Sequence, residues 1–514
     1  MTASLPGTVP VSLIALLAAA VLLMGGTEPA HAQEAPKSSP TLGQAQENLD
    51  EIISGFDDKP SPEDRGEAAQ PDLESGFDDS TGEAKGGATE AGDSATKEEG
   101  PSFYSLDGFV RLDSSYNYAQ DAPLPGQTDY RGLSKLRTAL QLELNLDFNG
   151  NWKAFISGQF NKDFAYQLNG RESYTQEVLD TYEQESEFRE VYLQGSITDD
   201  LDVKLGRQIV VWGKSDNIRV TDVLNPVDNR EPGVVDIEDI RLPVTMSRFD
   251  YYFGEWDLTA IAIHEIRFNK SPVFGSDFFP SPVPLPPERV PEDGGGGTEF
   301  ALALSGIFSG YDLAFYWARM FDDDAHFVSP SGDPDLMACF TPGACERQHS
   351  RITMVGAAYN IALGQWLLKA EAALFEGLEF FNRPGETFTR LDALVGFEYT
   401  PIPDSTITVE AADQLLLDFR DELANTPDSA RKNLNQFAFS YRADLLRQTL
   451  QVVVFALFFG SKADEGSVRR YSATYDVMDA FSVTAGIVTY HPGNDLLDAA
   501  RNNDRIILEA KYSF

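Results

Sequence analysis

Residues 505–514 end the chain with the sequence Arg-Ile-Ile-Leu-Glu-Ala-Lys-Tyr-Ser-Phe. In a β-strand, successive side chains point to opposite faces. One face would therefore carry the apolar set Ile506, Leu508, Ala510, Tyr512 and Phe514. The other would carry the polar set Arg505, Glu509, Lys511 and Ser513. This division suits a strand with lipid on one side and a polar lumen on the other. The edge strand of a soluble sheet can alternate in the same way, so the remaining sequence has to decide.

The aromatic end of this stretch carries a first resemblance. A terminal aromatic residue resembles the C-terminal signal by which Gram-negative outer-membrane barrels are recognised for assembly. The resemblance implies that Tyr512 and Phe514 form an assembly signal and that the barrel assembly machinery is a partner.

Alternation of this kind recurs along the chain from Phe103 onward. From Leu136 to Phe148, leucines alternate with polar and charged residues, and Asn149-Gly150 supplies a two-residue hairpin turn before the next strand at Trp152. Further strands are predicted at about 104–118, 187–199, 201–212, 244–254, 256–268, 299–309, 311–321, 350–361, 364–376, 388–400, 405–416, 433–443, 448–460, 468–477, 480–490 and 503–514. The total of about 16–18 strands predicts an all-β fold, a transmembrane antiparallel β-barrel over 102–514.

The connections between these segments alternate between tight and long. Tight links are predicted at Asp199-Asp200, Gly254-Glu255, Gly310, Leu363-Gly364, Pro403-Asp404, Ala443-Asp444 and Met478-Asp479. Alternate short periplasmic turns and long extracellular loops are typical of outer-membrane barrels. A periplasmic sandwich or propeller is the alternative, but the chain shows no repeat of blade length.

Composition excludes several classes of protein. The formal net charge of −41 argues against nucleic acid as a partner, because phosphate binding needs basic patches. After the first 25 residues, no apolar run reaches the length of about 20 residues that a spanning helix requires. The composition therefore argues against a polytopic helical membrane protein and places no constraint against a barrel.

The N-terminus predicts export. An apolar run from Val11 to Met24 is followed by Ala30-His31-Ala32, the pattern of a cleavage site. We therefore predict a signal peptide over 1–32, although no Lys or Arg precedes the apolar run. Export together with a barrel predicts the outer membrane of a Gram-negative bacterium, with outer-membrane lipid around it.

Residues 33–101 form an acidic segment with almost no aromatic side chains. It holds 18 acidic and 5 basic residues, a composition that cannot bury enough apolar surface to fold. We predict a disordered periplasmic tether. The sequence Ser-Gly-Phe-Asp-Asp occurs twice in it and suggests a docking motif for a periplasmic partner, with aromatic anchors and an acidic rim. The motif residues are Phe56, Asp57, Asp58, Phe77, Asp78 and Asp79. A chance repeat in a biased sequence is the alternative.

Two of the long connections have features of their own. One contains Cys339 and Cys345 around a Pro-Gly pair, which predicts a local disulfide in an exported chain, with metal binding by two thiols as the weaker alternative. The connection over 269–297 is rich in proline and then glycine, and we expect it to be mobile or to fold over the mouth of the barrel.

The stretch from 205 to 250 is unusual for a loop because it mixes apolar side chains with charges of both signs. We predict an insertion near 213–243 that folds into the lumen. The alternation also slips at Gly206, which suggests a bulge or a close backbone approach. The predicted lumen residues are Arg207, Lys214, Arg219, Asp222, Asp228, Arg241, Arg248 and Asp250. They either brace the wall through a network of ion pairs or narrow the pore.

The same residues carry a family resemblance. The pattern Gly-Arg-Gln-x-x-x-Trp-Gly-Lys, then Arg-x-x-Asp-x-x-Asn-Pro-x-Asp and Arg-x-Pro, resembles the Gram-negative outer-membrane proteins catalogued as domain-of-unknown-function family 1302. The resemblance spans about 103–514. It implies a barrel and an association with RND-type inner-membrane exporters, including ones suspected of moving lipids or other hydrophobic molecules.

Three classes of function remain. The leading hypothesis is an outer-membrane channel or transport barrel for small or hydrophobic solutes, working with a partner docked on the tether. A general diffusion porin and a structural or adhesive barrel are the alternatives. An enzyme is not expected, because neither a G-x-S-x-G nor an H-E-x-x-H motif occurs. We expect no cofactor, no metal and no catalytic residue.

Overall fold

A computed structural model describes residues 103–514, except 124–126, 149–150, 234–239, 282, 330–338, 340–342, 382 and 384. The predicted signal peptide and tether, with the docking residues Phe56, Asp57, Asp58, Phe77, Asp78 and Asp79, lie outside the described residues. The Asn149-Gly150 turn does so too.

Within the described residues, eighteen strands form a closed antiparallel barrel, which confirms the predicted fold class and strand number. They are β1 (Tyr104–Asn117), β2 (Gly132–Asp147), β3 (Trp152–Asp163), β4 (Gln184–Thr198), β5 (Leu201–Gln208), β6 (Val244–Phe253), β7 (Trp256–Ile263), β8 (Glu299–Phe308), β9 (Tyr311–Val328), β10 (Glu346–Leu363), β11 (Trp366–Leu378), β12 (Phe388–Ile402), β13 (Ser405–Leu416), β14 (Asn433–Leu445), β15 (Leu450–Phe459), β16 (Ser467–Met478), β17 (Phe481–His491) and β18 (Arg505–Ser513).

The last strand closes the barrel on the first. β18 pairs antiparallel with β1 in an unbroken register from Phe109 opposite Ser513 to Asn117 opposite Arg505. Beyond it, Gly108 N donates to Phe514 O at 3.0 Å, and Phe514 N donates to Gly108 O at 2.9 Å. The C-terminal stretch is therefore the closing seam of the sheet.

The connections are short at one end of the barrel and long at the other, as predicted. Several short turns use a left-handed residue, with positive φ at Gly254, Gly310, Gly364 and Asp404. Such residues let a tight hairpin follow the twist of its strands. The long connections hold the short helices α1 (Ala165–Leu168), α2 (Gln176–Val178) and α3 (Asp495–Ala500). They also hold a π-helical turn at Leu179–Glu183, 3-10 turns at Arg171–Ser173, Gly295–Gly297 and Leu423–Asn425, and a two-residue strand at Glu288–Arg289 that pairs parallel with β10.

The two faces of the wall have the polarity of a membrane barrel. Outward side chains such as Leu142, Phe188 and Val395 are 41%, 67% and 65% exposed, whereas the inward charged side chains Arg111 and Glu410 are 2% and 0% exposed. A water-soluble protein has the opposite arrangement. An apolar outer face around a polar interior is what lipid requires.

Aromatic side chains gather near the short turns. Phe103 packs on Phe148 at 5.5 Å between ring centroids, Trp256 on Phe308 at 5.3 Å, Trp366 on Tyr399 at 4.2 Å and Tyr512 on Phe514 at 6.5 Å. These rings form an aromatic girdle of the kind that marks a membrane interface. In the part of the chain that the structure describes, no helix has the length and apolar character to cross a membrane.

Strand boundaries differ from the prediction where the chain leaves the wall. β5 was predicted to reach 212 but ends at Gln208, because the apolar residues after it turn into the lumen. β9 and β10 extend past the predicted 321 and 350, to Val328 and from Glu346, so this hairpin stands taller than its neighbours. In the connection between them, Cys339 and Cys345 are joined by a disulfide.

We predict that Phe514→Ala lowers the fraction of chain that assembles into a barrel, because Phe514 ends the closing seam and its ring is half exposed toward the lipid interface. Heat-modifiable gel mobility of the membrane fraction measures this fraction. Phe148→Ala is the matched control, since it removes a girdle aromatic from a turn that does not close the barrel. Equal losses in both variants would contradict a special role for the terminal residue.

Candidate functional site: a lumen plug

The lumen holds the segment between β5 and β6. We call residues 209–243 the plug; the structure describes 209–233 and 240–243 of it. Seven of its buried apolar side chains join the main hydrophobic cluster of the barrel: Val210, Trp212, Ile218, Val220, Leu224, Val227 and Ile240. Leu242 is buried as well. The described residues of this segment thus lie inside the barrel, and the segment leaves the wall after Gln208.

One side of the wall is shaped to receive the plug. Eight of its inward positions are small or apolar: Ala301, Ala303, Ala314, Tyr316, Ala318, Met354, Ala358 and Ala373. The Trp212 ring stacks on the Tyr316 ring at 4.8 Å between centroids. Burying seven or eight apolar side chains in place of leaving them in a water-filled lumen contributes on the order of 10 kcal/mol. The plug is therefore a packed core and not a loosely held loop.

Two wall carboxylates bind the backbone of the plug. Glu371 of β11 accepts from Lys214 N at 2.5 Å, Ser215 N at 2.6 Å and Thr221 N at 3.2 Å, and also from Thr221 Oγ1 at 2.7 Å. Glu410 of β13 accepts from Asp216 N at 2.7 Å and Asn217 N at 2.9 Å. Since hydrogen bonds to a buried charge are the stronger kind, these two residues fix the position of the irregular backbone.

Close packing limits the residue at Gly213. A Cβ atom there would lie 2.8 Å from a Glu371 carboxylate oxygen, and φ is +90°. Only glycine meets both conditions without strain. Next to this contact, the Lys369 ammonium group of β11 bonds Asp216 of the plug and lies 2.8 Å from Glu398 of β12. This buried cation is therefore paired with two carboxylates.

Asp222 is the centre of the ion pairs inside the plug. Arg241 Nη2 lies 3.0 Å from its carboxylate, Arg219 Nε lies 3.4 Å from it, and Trp212 N donates to it at 3.1 Å. The predicted residues Arg219, Asp222 and Arg241 are thus brought together, and they hold the start, middle and end of the plug to one another.

The other predicted lumen residues pair with the wall or with near neighbours. Arg207 bonds Glu187 at 2.7 Å and Glu265 at 2.6 Å, and Lys214 reaches Asp312 at 3.4 Å. Both cations thus pair with carboxylates outside the plug. Asp228 pairs with its near neighbour Arg230. Arg248 and Asp250 pair at 2.9 Å on β6, on the wall outside the plug.

Several residues that organise the site were not predicted. Asn225 accepts from Val210 N at 2.8 Å and donates to Leu242 O at 2.9 Å, joining the two ends of the plug. Glu371, Glu410 and Tyr316 are the wall contacts. Strand alternation alone places Glu371 and Glu410 on the inward face, but it contains no signal for what they bind.

At Gly206 the pairing with β4 continues unbroken and φ is +130°, so the slip in alternation is a close backbone approach and not a bulge.

The opposite side of the lumen is ionic. Between β2–β4 and the plug lies a cavity of about 40 Å³ lined by Arg137, Gln159, Asn161, Asp163, Glu185, Glu187, Arg189, Arg230, Glu231 and Lys270, among others. A second cavity of about 30 Å³ shares Arg137 and extends along β1, β16, β17 and β18. A water needs roughly 10–15 Å³ measured in this way, so each gap holds only about two or three waters. In this conformation the two gaps are too narrow for a solute.

The fold and lumen define the class of this protein. A closed antiparallel barrel with an apolar outer band, an aromatic girdle and a polar lumen holding an inward-folded segment is an outer-membrane β-barrel. The chain belongs to the family described as Protein of unknown function (DUF1302), whose model matches residues 13–514. No functionally curated protein matches the chain.

The chain is similar to several solved structures at low sequence identity. OccAB2 of Acinetobacter baumannii is 10% identical, with a TM-score of 0.47 over 80% of this chain and 98% of its own. OccK2 (OpdF) of Pseudomonas aeruginosa, in complex with glucuronate, is 12% identical, with a TM-score of 0.46 over 80% and 98%. A BenF-like porin from Pseudomonas fluorescens Pf-5 is 11% identical, with a TM-score of 0.46 over 80% and 97%.

We predict that Glu371→Gln loosens the plug. An amide has one acceptor oxygen and turns a donor toward the N–H groups that the carboxylate now binds, so about 1.5–3 kcal/mol of local stability is lost. Hydrogen exchange at Ser215 and Thr221 then accelerates by roughly ten- to a hundredfold, since 1.4 kcal/mol is a factor of ten.

Glu376→Gln is the matched control for this measurement. Glu376 lies on the same strand but is exposed, so its substitution should leave exchange in the plug unchanged. Plug exchange that rises equally in both variants, or in neither, would remove Glu371 from its assigned role.

Proposed function

We propose that this protein is a gated outer-membrane channel for small polar and charged solutes, and that the plug is the gate. The observation that carries the proposal is the division of the lumen. The plug packs against the apolar side of the wall, and two narrow gaps lie on the ionic side. Movement of the plug toward the wall it already contacts, or out of the lumen, widens a path lined by fixed charges of both signs.

The ionic side has the chemistry of a selective passage. Glu187 bonds Arg207, Arg267 and Lys270, at 2.7, 2.7 and 3.3 Å, and Glu185 bonds Arg230 at 2.8 Å and Lys270 at 2.6 Å. Fixed charges along a lumen select ions and small solutes by their charge. Arg230 belongs to the plug, so its bond to Glu185 is released when the plug moves, whereas Arg207 of β5 stays paired with Glu187 of β4.

A second candidate follows from the apolar side of the wall. If the plug leaves the lumen entirely, the alanine, methionine and tyrosine positions that it covers face the ionic side across the pore. Such a pore suits an amphipathic solute, with its apolar part on β8–β11 and its polar part on β2–β4. The second candidate function is therefore the transport of a hydrophobic or lipid-like substrate.

We predict that the intact mature protein shows little conductance in planar bilayers and that a variant lacking residues 214–240 shows large, steady conductance. The deletion removes most of the plug and leaves both ends of the connection. The control is Cys339→Ser combined with Cys345→Ser, which alters a mouth loop and not the lumen, and should conduct like the intact protein. Large conductance of the intact protein would indicate an open diffusion porin and contradict the gate.

A second measurement separates the two candidate substrate classes. The uptake of a fluorescent amphiphile through the deletion variant is compared with the uptake of a small organic anion through the same variant.

We further propose that a periplasmic or inner-membrane partner, such as an RND-type transporter, docks on the tether and acts on the channel. The support is the repeated Ser-Gly-Phe-Asp-Asp sequence and the family resemblance.

We predict that Phe56→Ala with Phe77→Ala abolishes crosslinking of the full-length protein, in cells, to an inner-membrane transporter identified by mass spectrometry. Aromatic anchors provide most of the binding energy of short docking motifs, so their loss weakens binding by about 2 kcal/mol or more. Leu73→Ala is the control within the same tether. An unchanged crosslink in the double variant would remove the repeat as the docking site.

A further inference from the structure

We propose that a second segment locks the plug from the side of the long connections, and that the ion pair between Asp277 and Arg505 is its lock. The segment is residues 268–279, which we call the strap. This inference rests on the proposed gating function and adds how the gate is held shut. The observations are three sets of contacts: with the far wall, with the plug and with the neighbouring loops.

The strap runs from one part of the barrel to another. It follows β7, and its far end contacts β17 and β18, which are separated from β7 by β1–β6 in one direction and by β8–β16 in the other. The connection therefore passes over the lumen and does not stay beside its own strands. The sequence left open whether this connection is mobile or folds over the mouth, and in the described residues it folds over.

The far end of the strap is held by buried contacts. Asp277 Oδ2 lies 2.9 Å from Arg505 Nη2, and Asn503 Nδ2 donates to Asp277 O at 2.7 Å. The Phe278 ring lies under the Arg505 guanidinium at 4.6 Å and packs on Tyr490 at 5.6 Å. Phe278 and Arg505 are 2% and 1% exposed. An aromatic ring and an ion pair this deeply buried form an anchor that surface contacts do not supply.

The near end of the strap is bonded to the plug. Asn229 N donates to Lys270 O at 2.7 Å, Lys270 N donates to Val227 O at 2.9 Å, and Asn269 Oδ1 accepts from Val227 N at 2.7 Å. The far anchor also reaches the plug, because the Tyr490 hydroxyl donates to Pro232 O. Plug residues 227–232 are thus bonded to the strap at one end and to its anchoring wall at the other.

These contacts couple the two segments. Displacement of plug residues 227–232 breaks the backbone bonds to Lys270, so the plug moves freely only when the strap moves with it. The strap in turn moves only when Asp277 and Phe278 leave Arg505 and Tyr490. Removal of the Asp277 charge leaves Arg505 buried beside a neutral amide in the closed state, whereas in the open state no such cost arises. The closed state alone is destabilised, and the equilibrium shifts toward opening.

Contacts in the middle of the strap do not replace the lock. Tyr130 OH donates to Gly275 O at 2.5 Å and Thr175 Oγ1 donates to Phe274 O at 3.5 Å. Tyr130 belongs to the connection between β1 and β2, and Thr175 belongs to the connection between β3 and β4. Neither residue is part of a wall strand. They position the strap over the mouth, while the bonds to β17 and β18 tie it to the rigid sheet.

The test uses single-channel recording of the full mature protein with Asp277→Asn, with Phe278→Ala and with both. We expect each single variant to raise the ratio of open to closed time by about tenfold or more, since a lost buried charge-assisted bond has an effect of that size. The double variant should exceed the singles by less than the product of their effects, because both substitutions release one anchor.

Asp129→Asn is the matched control. Asp129 pairs with Arg131 at 2.7 Å in the β1–β2 connection, half exposed and within one loop. Hydrogen bonds from Arg131 lower the pKa of Asp129 to about 2, so this is a formed aspartate–arginine pair that joins no two elements. Its loss should leave gating unchanged. Hydrogen exchange at plug residues 227–232 is the second readout, and it should accelerate in the strap variants and not in the control.

The outcomes separate this inference from the gating function. If deletion of 214–240 opens the channel while the strap variants stay closed with unchanged plug exchange, the lock is overturned and the gate stands. If the strap variants and Asp129→Asn open the channel equally, the effect is nonspecific and the lock is again overturned. If the deleted variant itself fails to conduct although it assembles, the proposed gate has failed.

Discussion

The pairing of β1 with β18 is the constraint on which the rest of this molecule depends. Lipid offers no hydrogen-bond partners, so each backbone N–H and C=O group at the depth of the membrane needs a partner within the protein. An open sheet leaves two unpaired edges, and only closure removes them. The register from Phe109 to Asn117 and the final bonds between Gly108 and Phe514 complete this closure. The closed wall in turn defines a lumen whose contents are isolated from lipid.

The same rule about backbone groups explains how the plug is held. Irregular backbone is tolerated at membrane depth only when protein groups or water satisfy its polar atoms. Glu371 and Glu410 supply acceptors to five N–H groups of residues 214–221, and Asn225 supplies one more to Val210. Two strands that look ordinary by their alternation thus fix the geometry of a segment far away in sequence. Apolar packing around Trp212 and Tyr316 stabilises the plug against the wall, and the carboxylates determine its position.

The two sides of the lumen therefore differ in packing and in charge, and this difference is the basis of the proposed gate. One side is a solid core of small wall residues and plug side chains, and the other is an ionic network with room for only a few waters. A gate needs two arrangements that differ by a few kcal/mol, and a plug joined to the strap through Lys270 can change as a unit. Opening of the plug could be controlled both by the strap at the mouth and by a periplasmic partner, because each would act on the plug.

The sequence by itself determined the barrel. Alternation with period two, the Asp and Gly residues of the short turns, and the apolar face ending at Phe514 are local features, and each strand reports its own two faces without knowledge of its neighbours. The insertion into the lumen was also visible, because its mixture of apolar and charged residues has no place in a solvated loop. Arg219, Asp222 and Arg241 were predicted as lumen residues, and the structure brings these three together. The tertiary structure decided which other charges meet. Arg207 faces Glu187 and Glu265, Lys214 faces Asp312, and Asp277 reaches Arg505 across the mouth, because the barrel's closure brings distant strands to one lumen. Alternation assigns a side chain to the inside; only the path of the plug and strap through that interior decides what it contacts.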